Sequence, residues 1–107
     1  MIYKFRSKAA GDVIMMGPSG DQVLRIIGKQ PAPRGIVEPA AMPAAMQAIE
    51  QAIAAEEEAR RQAEAEAEAE GKTLPPREAV SLRQRAWPLV EMMKRAHAED
   101  KEIVWGV

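Results

Sequence analysis

The sequence predicts an α+β fold: a small three-stranded, mostly antiparallel sheet packed with about three helices, one long and Ala/Glu-rich. Three observations carry that reading. Short β-forming segments stand at both ends of the chain, three intervening segments repeat apolar residues at helical spacing, and 107 residues suit one domain spanning 1–107.

The first strand, near residues 2–6, alternates. Tyr3 and Phe5 share one face, and Lys4, Arg6 and Lys8 share the other, as a half-buried strand requires. Ser7 to Asp12 supplies turn residues, and Val13-Ile14-Met15-Met16 follows as a second strand near 12–16, so the two form a hairpin. That second run is apolar on both sides, which predicts a central position or a covered outer face.

Gly17-Pro18-Ser19-Gly20 launches a helix near 19–28. Ser19 and Gln22 match a capping box, Val23, Leu24, Ile26 and Ile27 form its apolar side, and Gly28 is a stop. Lys29 to Pro39 contains Pro31, Pro33, Pro39 and Gly35, and reads as an extended connector.

A second helix begins at 40–43, where Pro43 is tolerated in the first turn, and runs to 60 or beyond. Met42, Met46, Ile49 and Ile53 fall on one side of it. From Glu56 onward, alanine alternates with glutamate and no apolar stripe remains. Residues 56–76 therefore read as a solvated helical extension that frays, followed by a flexible linker. The third helix, 81–98, opens with a second capping box, Ser81 and Gln84, and Pro88 predicts a kink or break near Trp87. Ile103-Val104-Trp105 makes the last strand, near 102–106.

Composition excludes much. With no cysteine there is no disulfide, thiolate metal site or cysteine nucleophile, and the single histidine, His97, leaves little for zinc or imidazole catalysis. Met1 to Arg6 does not read as a secretory signal, and no apolar run reaches about 18 residues, so the expectation is a cytoplasmic protein with no cofactor and no membrane span. Charge is layered: residues 1–35 carry net +4, residues 36–70 net −7 and residues 71–107 net +2. Such layering steers partners, or lets the acidic middle lean on the basic ends.

The candidate contacts are few. Lys4, Arg6 and Lys8 on one strand face suit phosphates, although the aromatic residues lie at the opposite parity; guarding an edge strand is the plainer role. Ser19 and Gly20, with Arg25 and Lys29 one and two turns on, offer a helix N-terminus for an anion, and an ordinary strand-to-helix turn explains them equally well. Seven methionines fill a core or line an adaptable surface. No serine among Ser7, Ser19 and Ser81 sits in a nucleophile elbow, so no catalytic, cofactor or metal residue is assigned.

Four strings of the chain resemble a known family. They are Tyr3-Lys4-Phe5-Arg6-Ser7-Lys8-Ala9-Ala10-Gly11-Asp12-Val13-Ile14-Met15, Gly35-Ile36-Val37-Glu38-Pro39-Ala40-Ala41-Met42-Pro43-Ala44-Ala45, and Ser81-Leu82-Arg83-Gln84-Arg85-Ala86-Trp87-Pro88-Leu89 with Ile103-Val104-Trp105-Gly106-Val107. On these the chain resembles the small proteobacterial proteins grouped as domain of unknown function 1840. The resemblance implies a bacterial cytoplasmic protein and brings no catalytic or ligand residues.

The functional expectation is a non-enzymatic interaction module. It takes an unidentified protein partner through the methionine-rich helical face or the acidic arm, or it self-associates. The alternative is a weak nucleic-acid binder using Lys4, Arg6, Lys8, Arg25 and Lys29. An enzyme would need a pocket assembled from Asp12, Arg25, Arg83 or Arg85. Because two strands are apolar on both sides, either helices cover both sheet faces or a homodimer does.

Overall fold

The computed structural model describes residues 2–75 and 80–106. Strands β1 (Ile2–Ser7) and β2 (Ala10–Met16) form the expected hairpin around Lys8 and Ala9. Helix α1 (Gly17–Ile26), strand β3 (Gly35–Val37), a 3-10 turn (Pro39–Ala41), helix α2 (Met42–Ala69), helix α3 (Leu82–Ala98) and strand β4 (Ile103–Trp105) follow. The sheet is antiparallel in order β2-β1-β4-β3, so the last strand is inserted between the first and the third.

The sheet has four strands where sequence predicts three. β3 lies inside the proline-rich connector: the prolines hold the chain extended, and extended backbone beside β4 pairs Ile36 with Val104. Pro33 and Pro39 fall outside the three paired residues, as an edge strand allows. Gly35 is required there, because a Cβ would stand 2.2 Å from the Trp105 indole.

One sheet face is core. Tyr3, Phe5, Met15, Val37, Ile103 and Trp105 are buried against Val23 and Leu24 of α1, Met42, Ile49 and Ile53 of α2, and the apolar side of α3. Phe5 stacks on Tyr3 at 6.0 Å between ring centres and meets Trp105 edge-on at 5.7 Å, and the indole N–H donates to the Ala32 carbonyl at 3.0 Å.

Helix ends follow sequence at some sites and depart at others. Ser81 and Gln84 make the reciprocal capping box of α3. Gly28, at φ 84°, follows α1 as its stop, with Lys29 N–H donating to the Leu24 carbonyl at 2.8 Å. The capping box expected at Ser19 is absent. α1 starts two residues earlier, with extended Met16 as its cap residue and Pro18 setting the first turn, so Ser19 is already inside the helix. α3 also runs without a break through Pro88, which lies on its exposed side, where water can reach the carbonyl left without a donor.

α2 and α3 pack as an antiparallel pair, joined where the Arg83 guanidinium grips the Glu57 carboxylate through two 2.9 Å bonds and the Leu82 N–H donates to Glu56 at 3.2 Å. The acidic middle does lean on the basic end. Beyond Glu58 the helix continues to Ala69, about three turns past that junction. The chain then turns at Gly71 (φ 72°) and doubles back, so that Arg60 donates to the Pro75 carbonyl at 2.9 Å. The end of the expected linker, at Pro76, lies outside the described residues.

Candidate functional site

All three helices pack on one side of the sheet, so the other side is open. This corrects the central position expected for β2, which is an edge strand, and the expectation that helices cover its outer face, which has none over it. The reason is topological. β4 returns to the far side of β1 and leaves β2 outermost, while the α2–α3 pair stacks where α1 already lies.

Strand alternation sends Ile2, Lys4 and Arg6 of β1 to the open face, with Ile14 and Met16 of β2 beside them. The register sets Ile2 next to Met16, Lys4 next to Ile14 and Arg6 next to Val104, with an irregularity in the β1–β2 pairing between Phe5 and Ser7. Ile36 stands beyond Val104 on β3. Ile2, Ile14 and Met16 are 61%, 64% and 66% exposed and Ile36 39%, an apolar surface with charges set into it. Asp12 lies 3.5 Å from Lys4 Nζ and 4.0 Å from Arg6 Nε. These exposed pairs contribute little to stability, but they neutralise part of the basic strand. A shallow depression of about 230 Å³ adjoins them, lined by Arg6, Ser7, Lys8, Asp12, Glu102 and Val104.

The structure divides the expected contact residues into two groups. Lys4 and Arg6 share the open face, with Lys8 in the adjoining turn. Ser19, Gly20, Arg25 and Lys29 belong to α1 and its exit, and α1 packs against the opposite face. Gly20 is pressed against the Tyr3 ring, leaving no room at the helix start, and Ser19 and Gln22 accept from Arg85 at 3.4 Å and 2.7 Å. The four residues an enzymatic pocket would need do not converge either. Asp12 is on the open face, Arg83 at the α2–α3 junction, Arg85 between α3 and α1, and Arg25 on the exposed side of α1.

The methionine face is corrected outright. Met15, Met42, Met92 and Met93 are buried and Met46 is half-buried; Met16 alone among the described methionines is exposed. His97 lies in the last turn of α3, exposed. Among the described residues no group of three or more metal-ligating side chains occurs, and no helix is long and apolar enough to cross a membrane.

Sequence reasoning anticipated surplus apolar surface on the sheet but did not assign its residues to the open face. Its signal is the apolarity of Val13 to Met16 on both strand faces, and Ile36 is hidden within the proline-rich connector.

These features define a small α+β protein with a one-sided antiparallel sheet and an apolar, partly charged open face. The chain belongs to the family described as domain of unknown function (DUF1840), whose model matches residues 1–105. No curated protein and no solved structure gives a significant match.

Proposed function

We propose that this protein is a non-enzymatic interaction module of the bacterial cytoplasm that docks a protein partner on the open face of its sheet. The observation behind it is that Ile2, Ile14 and Met16 at one edge, and Ile36 at the other, leave apolar side chains in water on one side of a four-stranded sheet. Exposed apolar patches of this kind mark protein contacts more often than chance exposure. The acidic arm of α2 is less suited as the docking element, because alanine is its only apolar residue and Arg60 and Arg61 already pair with Glu64 and Glu58.

A second reading, nucleic-acid binding, draws on Lys4 and Arg6 lying side by side on that face with Lys8 nearby. Asp12 sits within ion-pair distance of the first two, and no aromatic side chain shares their face for a base to stack on.

Capture from source lysate, with and without nuclease, separates the two. The tagged protein is expected to retain a stoichiometric protein that survives nuclease and moderate salt, and to lose it in Ile14→Lys and Ile36→Lys. Recovery that collapses with nuclease and falls steeply with salt selects the nucleic-acid reading. Equal recovery by wild type and both variants overturns docking on this face.

A further inference from the structure

We propose that the occupant of the β1–β2 part of the open face is the same face of a second copy, the two sheets stacking about a two-fold axis. This rests on the reading of that face as a docking surface and names what docks there. The register sets Ile2 beside Met16 and Lys4 beside Ile14; at the irregularity that follows the Phe5–Val13 pair, Arg6 Nε lies 4.0 Å from the Asp12 carboxylate, which makes the third row. Each row across the hairpin thus holds two different side chains.

Consider an axis running along the hairpin between its two strands, in the plane of contact. It lays β1 of one copy over β2 of the other, so each row meets its own reversal. Met16 then covers the second copy's Ile2, and Ile2 covers its Met16. Arg6 meets the second copy's Asp12, and Asp12 meets its Arg6. Between them the aliphatic stem of Lys4 lies over Ile14, its ammonium reaching towards the carboxylates. Apolar side chains face apolar ones and cations face anions, at the spacing of aligned stacked sheets, about 10 Å. An axis across the strands through the Lys4–Ile14 row would instead set Lys4 on Lys4 and Arg6 on Ile2, like charges together and a charge on an apolar side chain.

The surface is small. Two hairpin faces bury on the order of 1,000 Å² together, at the low end of specific interfaces, so association depends on concentration. Val104 and Ile36 lie on β4 and β3, outside the overlap, and remain open to another partner.

Sedimentation equilibrium on the purified chain, from about 5 µM to about 1 mM, is the test, spanning the range expected for an interface this small. The mass is expected to rise from 11.7 kDa towards twice that value. Ile14→Lys and Asp12→Arg are expected to weaken self-association at least tenfold. The exchanged pair Arg6→Asp with Asp12→Arg is expected to restore it, because every row still meets opposite charges. A constant monomer mass to the top of the range overturns the proposal without any variant, and so does a dimer indifferent to Ile14→Lys and Asp12→Arg. If the wild type stays monomeric while lysate capture is still lost in Ile36→Lys, the second copy is excluded and the docking face stands. If capture is also unchanged, both readings fall.

Discussion

The Tyr3 hydroxyl donates to the Asp21 carboxylate while its ring packs where Gly20 has no side chain, so one residue joins β1 to α1 in two ways. The hydrogen bond to Asp21 does most to raise the phenol pKa above its ordinary 10.0, followed by burial and the charge of Asp21, with Arg25 opposing. A proton held more tightly in the folded chain stabilises it fully below the unfolded pKa of about 10. That contribution is lost as pH climbs through the higher folded value. Phenolate absorbance of the single tyrosine should therefore titrate above pH 10 in the native protein and return to about 10 in denaturant. Tyr3→Phe should cost about 1 kcal/mol in urea unfolding at neutral pH. At Gly20 a Cβ would stand 2.1 Å from the Tyr3 ring. Gly20→Ala should cost about 2–3 kcal/mol by overpacking, whereas Gly11→Ala, with nothing within 4 Å, should cost far less in the same melts.

The elements that sequence predicts well are those with a period. β1 alternates, α2 and α3 repeat their apolar residues over several turns, and Ser81 with Gln84 announces its own cap. β3 is illegible because three residues carry no period, and its extended shape comes from prolines that also mark loops. The site is legible only by halves. Lys4 and Arg6 declare themselves by parity, but Ile2, Ile14 and Met16 are chemically indistinguishable from core residues, and only strand order leaves them uncovered. The outer part of α2 makes a prediction of its own. Its last turns bury little beyond Ala67, whereas Met42, Ile49 and Ile53 anchor the first half. Amide exchange should be fast over 60–69, by local opening, and slow over 45–53, approaching the global unfolding free energy. Uniform protection along the helix would contradict the picture of an unsupported arm.

At the scale of the whole molecule, the arm sets the shape. The extents are 52 × 27 × 22 Å, and the Cα radius of gyration is 15.9 Å against about 13 Å for a compact domain of this length. Acidic charge is concentrated on the arm, and the basic strand lies at the sheet, so the layering seen along the chain becomes polarity in space. The insertion of β4 between β1 and β3 has a consequence for biosynthesis. A ribosome that has delivered everything before Ile103 has made both neighbours of a strand that does not yet exist. Until Trp105 clears the exit tunnel, β1 keeps a bare edge, Phe5 lacks its indole, and β3 has nothing to pair with. The nascent chain therefore waits for β4 with its sheet in two pieces.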